Sequence, residues 1–353
     1  MKATTFVLLF AVILGACAPA VTPAATPAQD PKALATELDA LVQQDYEAGV
    51  FEGSVLVARH GEVILSKGYG FADRDQKTPN TPQSKYRIGS LTKQFTALAI
   101  LMLQARGRLN VQDKLCTYIP NCPEIFQPIT LHHLLTHTSG APNGTQYNQP
   151  GDKMLSKYAS LVFPPGEKWV YTDVGYNLAG KVIEAVSGQS YEAFMQQNVF
   201  EPLQMSSTGY DHQQPDIAKG YATAQGEIAQ VNGDWYAAGA LYSTVEDLYR
   251  YDQALYTDRL LPRSALSAMF TAQMPVPDGL GIPHPKGWGY GYGWFIGPDN
   301  EPRVWYHGGM ASGYRTALWR YPDSQTTIIQ LGNHEAVILV PTEEAIADKL
   351  LGN

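Results

Sequence analysis

Strand chemistry stands at both ends of this 353-residue chain, and helical periodicity fills the stretch between. Val55, Val57, Val63, Leu65 and Tyr69 alternate about the turn Arg59-His60-Gly61-Glu62, the pattern of a hairpin. Alternation returns over residues 292–296, 303–306, 316–319 and 326–331. Leu34, Leu38, Leu41 and Val42 form a helical stripe over 33–48 that Gly49 ends, and Ile338, Leu339, Ile346 and Leu350 predict a closing helix. The expected fold is α/β in the α+β sense: one antiparallel sheet flanked by N- and C-terminal helices, with a mostly helical inserted subdomain. The expected lobes are a sheet lobe of about 32–89 and 286–353 and a helical lobe of about 90–285, with a substrate cleft where they meet.

At 44% hydrophobic and 16% charged, the chain is a packed globular protein rather than a disordered one. Its 25 Lys and Arg against 33 Asp and Glu give a net charge of −8, spread along the chain, which argues against nucleic-acid binding. The N-terminus reads as an export address. Lys2 precedes the apolar run Phe6 to Leu14, too short for the roughly 20 residues that span a bilayer. Leu14-Gly15-Ala16-Cys17 resembles a bacterial lipobox, which makes 1–16 a signal peptide and Cys17 the lipidated residue. Ordinary cleavage after Ala18-Pro19-Ala20 is the alternative. Residues 17–31, rich in Ala, Pro and Thr, read as a flexible tether, so the expected location is the bacterial cell envelope, lipid-anchored through Cys17. An exported chain meets an oxidising environment, where Cys116 and Cys122 are candidates for a local bridge; two free thiols are the other reading.

Chemistry-bearing residues fall in three places. In Gly89-Ser90-Leu91-Thr92-Lys93, Ser90 and Lys93 share one side of the first turn of a predicted helix. A serine hydroxyl becomes a nucleophile when a neighbouring base takes its proton, and a helix N-terminus offers N–H groups to an oxyanion. The same tetrad also fits an N-cap serine with an unrelated exposed lysine. Tyr171-Thr172-Asp173 lies in a loop leading into a helix and reads otherwise as an ordinary glycine-rich loop with Asp173 as N-cap. His307-Gly308-Gly309-Met310 follows a strand pattern and reads otherwise as a glycine-rich turn.

In this order, Ser90/Lys93, Tyr171/Asp173 and His307/Gly309 resemble the S-x-x-K, Y-x-N and H-x-G marks of the serine β-lactamase and penicillin-binding-protein family. The resemblance is to its class C-like branch, which includes D,D-peptidases and esterases. Leu134-Leu135-Thr136-His137-Thr138-Ser139-Gly140 and the run from Ala238 to Leu248 add to the likeness, which covers about residues 50–335. The resemblance implies a serine hydrolase in which Ser90 is acylated by a small-molecule or peptide substrate. Lys93 and Tyr171 share the proton transfers, and the N–H groups of Ser90 and Met310 form the oxyanion hole. Asp173, His307, Gly308 and Gly309 would bind substrate, and no cofactor or metal is implied. A catalytically silent module that recognises cell-wall fragments is the alternative.

Two departures bear on substrate. Asp173 replaces an amide with a carboxylate that accepts hydrogen bonds but donates none, and on contact it would hold Lys93 protonated. His307 stands where many β-lactamases have lysine. Both changes predict weak β-lactam hydrolysis, with ester or peptide substrates better served, and Arg315 would restore a cation if it points into the cleft. His132, His133 and His137 lack an H-E-x-x-H pattern and are assigned to packing or capping. Trp288, Tyr290, Tyr292 and Trp294 are assigned to the core. The sequon at Asn143 is expected to stay bare.

Overall fold

The computed structural model describes residues 30–142, 160–212, 214, 216–223, 226–229, 235–278, 286–298 and 302–351. The segments expected to be signal peptide and tether, with Cys17, and the Asn143 sequon lie outside them.

Helix α1 (Pro31–Glu47) starts where the Asp30 carboxylate accepts from Lys32 N–H at 3.1 Å, and it buries Leu34, Leu38 and Val42. Gly49, at φ +71°, ends it. Strands β1 (Gly53–Arg59) and β2 (Glu62–Tyr69) follow, joined through His60 and Gly61, both at positive φ, as a two-residue hairpin turn requires. The chain then builds the helical lobe: α2 (Thr92–Ala105), α3 (Leu131–Leu135), α4 (Asp173–Ser187) and α5 (Val245–Ala254). A small sheet of Tyr86–Arg87, Leu241–Ser243 and Gly209–Tyr210 ties this lobe together. Cys116 and Cys122 are disulfide-bonded, their Cα atoms 5.3 Å apart.

The chain returns to the first sheet through β3 (Met274–Pro275), β4 (Gly289–Tyr290), β5 (Phe295–Ile296), β6 (Trp305–Ala311), β7 (Tyr314–Tyr321) and β8 (Thr326–Gly332). The order is β2-β1-β8-β7-β6-β5-β4-β3, antiparallel throughout. N- and C-terminal segments pair as the second and third strands of the sheet, with Val55 opposite Gln330 and Val57 opposite Ile328. One face packs on α1 and the closing helix α6 (Val340–Leu351) through Val55, Val57, Trp319, Ile328, Ile346 and Leu350. The other packs on the helical lobe through Leu56, Leu318, Ile329 and Leu331.

Three details differ from the sequence reading. Strand β1 is buried on both faces because it lies between two packed layers, whereas its alternation suggested one apolar face. The large sheet already recruits Met274 and Pro275, upstream of residue 286, as an edge strand too short to show a period. Ile338 and Leu339 precede α6 rather than belong to it. Pro341 marks the first helical turn, where its missing N–H costs nothing.

Candidate active site

Ser90 lies in the 3-10 turn Gly89–Leu91, between the small sheet and α2. Gly89 has φ +53°, and a Cβ there would fall 2.7 Å from Met310 N; one on Gly309 would fall 2.0 Å from the Ile88 carbonyl. Both positions must therefore be glycine for β6 to lie against the serine turn. The Thr316 hydroxyl fixes that approach by donating to the Ile88 carbonyl at 2.9 Å.

One turn on, Lys93 is fully buried and its ammonium donates three times: to Ser90 Oγ at 2.9 Å, to Asp173 Oδ1 at 2.6 Å and to the Ala238 carbonyl at 2.9 Å. Burial alone would drive its pKa down; Asp173 and Tyr171 outweigh that, and the net shift is upward. Lys93 is an ammonium at neutral pH.

Helix α4 delivers Asp173 as its first residue, while the neighbouring Thr172 is the N-cap, its hydroxyl accepting from Val174 N–H at 3.2 Å. This corrects the assignment of capping to Asp173, whose carboxylate is committed to Lys93 although it borders the pocket. Tyr171 is braced by His137 from both sides of its backbone: Val170 N–H donates to the His137 carbonyl at 2.9 Å, and Thr172 N–H donates to His137 Nδ1 at 3.2 Å. The imidazole also lies against the Tyr171 ring, with centroids 4.3 Å apart. Burial, reinforced by Lys93 and His307, pushes the His137 pKa well down, so it is neutral, with its proton on Nε2 because Nδ1 accepts. The Tyr171 phenol is raised by burial, opposed by the Lys93 ammonium and by hydrogen bonding to Lys93 and Ser90. Serine, lysine and tyrosine thus converge.

On β6, His307 is buried. Its Nδ1 is 2.6 Å from the Gly308 carbonyl and must donate there, while its Nε2 is 3.0 Å from the Tyr290 hydroxyl. Ser90, Tyr171, Asp173, His307, Gly308, Gly309 and Met310 all border one cavity of about 910 Å³. Arg315 and Thr316 of β7 and the segment Val337, Ile338, Leu339 and Pro341 also border it, as does Trp235.

The other histidines have structural partners. His133 closes a capping box with Thr130 at the start of α3, and His132 Nδ1 is 2.8 Å from the Tyr292 hydroxyl. Trp288, Tyr290, Tyr292 and Trp294 are buried. Sequence reasoning missed the Ala238 carbonyl and Asn177, whose Oδ1 accepts from Ala238 N–H at 3.0 Å and so orients that peptide. Asn177 follows Asp173 by one helical turn, a spacing that signals a shared face.

The sequence model described as Beta-lactamase matches residues 38–350. Penicillin-binding protein 4* of Bacillus subtilis (strain 168) is 30% identical over 333 residues, covering 84% of this chain and 71% of that protein. The solved octameric penicillin-binding protein homologue from Pyrococcus abyssi has a TM-score of 0.80 at 28% identity, over 90% of this chain and 77% of its own. A class C beta-lactamase shares the fold, with a TM-score of 0.78 at 20% identity over 93% of this chain and 98% of its own.

Proposed function

The chain belongs to the Beta-lactamase family, whose members are serine hydrolases, and from that premise we propose that it cleaves an ester or amide bond through an acyl-enzyme on Ser90. One observation carries the reading: the Lys93 ammonium donates to Ser90 Oγ, and also to Asp173 and the Ala238 carbonyl. An ammonium donates and cannot accept. The Ser90 hydroxyl hydrogen therefore needs another acceptor, and the Tyr171 phenol interacts with both Ser90 and Lys93.

In the proposed reaction, Ser90 Oγ forms a bond to the substrate carbonyl carbon and gives its proton to Tyr171 Oη. In the same concerted transfer Tyr171 releases its own phenolic proton to the departing oxygen or nitrogen, so the phenol develops partial negative charge and never carries a second proton. Lys93 stays cationic throughout and stabilises charge developing on the phenol and on Oγ. The tetrahedral oxyanion is held by the N–H groups of Ser90 and Met310. Water then attacks the acyl carbon, its proton following the same relay in reverse, and Ser90 is regenerated. No cofactor takes part.

His307 supports the substrate preference for esters or peptides over β-lactams: its two ring nitrogens are taken up by Gly308 and Tyr290, leaving no lysine-like cation on β6. The same proposal makes the protein an envelope lipoprotein anchored at Cys17, supported by the lipobox and the tether. Purified protein is expected to turn over aryl esters or D-amino-acid peptides, with cephalosporins poor substrates, and Ser90→Ala to lose more than about 10³-fold. Turnover that survives Ser90→Ala contradicts the reading, and efficient cephalosporin hydrolysis contradicts its substrate preference.

A further inference from the structure

Tyr171 belongs to no helix or strand, yet the proposed relay needs its phenol held against Ser90 and Lys93. Both neighbouring amides donate to one residue: Val170 N–H to the His137 carbonyl at 2.9 Å and Thr172 N–H to His137 Nδ1 at 3.2 Å. A catalytic group on a loop is placed only as well as the contacts that grip that loop.

His137 is itself fixed from below. Helix α3 closes with Thr138 N–H donating to the His133 carbonyl at 2.9 Å and His137 N–H donating to the Leu134 carbonyl at 3.4 Å. That double closure puts residue 137 in the left-handed region, at φ +58°, where glycine is the usual occupant. The same end of α3 is tied to α4. The Tyr176 hydroxyl donates to the Leu135 carbonyl at 2.8 Å, and a Cβ on Gly175 would fall 2.9 Å from the Leu134 carbonyl.

A large side chain at positive φ strains the backbone, and such strain persists where the side chain serves the site. Packing alone does not call for an imidazole. The ring is fully buried, its centroid 4.3 Å from that of Tyr171 and 5.7, 5.2 and 4.8 Å from those of Trp169, Tyr176 and Tyr290. A phenyl ring would suit that aromatic box and would spare the burial of Nε2, which finds no hydrogen-bond partner among the described residues. What a phenyl ring lacks is the Nδ1 lone pair that receives Thr172 N–H.

We infer that His137 is a positioning residue for the reaction: its carbonyl and Nδ1 clamp the Tyr171 loop, and its ring backs the phenol, so that Tyr171 Oη stays within reach of Ser90 Oγ. This inference rests on the Tyr171 relay proposed above and names the group that holds it in place. His137 does not border the cavity, so it acts through Tyr171 and not on the substrate. A misplacement of about 1 Å at a reacting group costs about 10²-fold in rate.

The experiment is a double-mutant cycle on the purified protein with an aryl ester. His137→Gly relieves the backbone but removes acceptor and ring; kcat is expected to fall about 10²-fold while KM stays within about threefold. His137→Asn tolerates positive φ and offers an amide oxygen near the place of Nδ1, so it is expected to recover about 10-fold or more of that loss. In a Tyr171→Phe background, His137→Gly is expected to change kcat by less than about threefold, because no phenol remains to be placed. Fluorophosphonate labelling run to completion counts the sites with Ser90 in place, and kcat is expressed per labelled site. Should His137→Gly not fold, His137→Leu, which fills the box without an acceptor, runs the same cycle with the same expectation. Losses that multiply across the cycle overturn the positioning role, as does an Asn variant no faster than the Gly or Leu variant. Wild-type kcat in the Gly or Leu variant overturns it too. In each case the relay stands while Tyr171→Phe is slow; wild-type kcat in Tyr171→Phe overturns the relay itself.

Discussion

Among the described residues, two cation–carboxylate pairs have a cation no more than 1% exposed, and their surroundings differ. Arg320 of β7 pairs with Asp252 of α5, with side chains 1% and 0% exposed. Asp252 also accepts from the Thr327 hydroxyl at 2.6 Å and from Gln253 at 2.9 Å. The guanidinium is walled by the rings of Tyr256, Phe270, Trp305 and Trp294, with centroids 4.3 to 5.8 Å away. Every partner is fixed and the pair is sealed from the cavity, so its role is to lock α5 to the sheet. Lys93 is as deeply buried as Arg320, but its partner Asp173 is 18% exposed and borders the cavity, and Lys93 also donates to the Ser90 hydroxyl. A buried ion pair becomes chemistry when one of its partners is a reactive group open to substrate.

Substitutions that separate stability from rate sharpen the contrast. The largest effect is expected at Lys93→Met, where kcat/KM falls by about 10³- to 10⁴-fold because the relay loses its fixed cation. Asp173 borders the cavity and stays open to water there, so circular dichroism and the unfolding midpoint are expected to change less than when a sealed pair is broken. Arg320→Met comes next, with the opposite split. Leaving Asp252 buried without its counter-ion costs about 3–5 kcal/mol of unfolding free energy in urea titrations, while kcat/KM of the protein that remains folded stays within a few-fold of wild type. A Lys93 variant that unfolds, or an Arg320 variant that loses its rate, would erase the distinction.

The smallest effect concerns pH. Asp173 is the leading cause holding Lys93 up against burial, so Asp173→Asn lowers the lysine pKa. If Lys93 must be an ammonium, the alkaline fall in kcat/KM moves to lower pH in the variant by about one unit or more. A rate that instead rises at lower pH would make Lys93 the base. Stability follows the same linkage. The Lys93 pKa is raised on folding, so its pairing stabilises the fold fully below the unfolded lysine value and is lost as pH climbs through the folded value. Asp173→Asn should flatten that alkaline loss in thermal melts.

The sequence revealed side chains better than it revealed backbone. Ser90, Lys93 and Tyr171 stand in short patterns whose spacing carries meaning, and the hairpin at His60-Gly61 and the terminal strands announce themselves by alternation. The Ala238 carbonyl that completes the Lys93 shell has no residue signature, since any amino acid supplies a carbonyl. Asp252 and Arg320 are 68 positions apart with no pattern linking them. The pocket wall at Ile338 and Leu339 looks helical in sequence because its apolar residues continue the stripe of α6, whereas Pro341 in the first turn marks the true start. Strands of two residues, such as β4 and β5, are too short for any period to appear.

The central claim is that Ser90 is the group that becomes acylated. Intact-mass spectrometry of the wild type mixed with an aryl ester and quenched over time, followed by peptide mapping, tests it directly. The account predicts an added acyl mass on the peptide containing Ser90 that rises and then decays as product accumulates, absent in Ser90→Ala and slow to form in Tyr171→Phe. Product formed with no acyl mass at any time, or an adduct mapped to another residue, would contradict it.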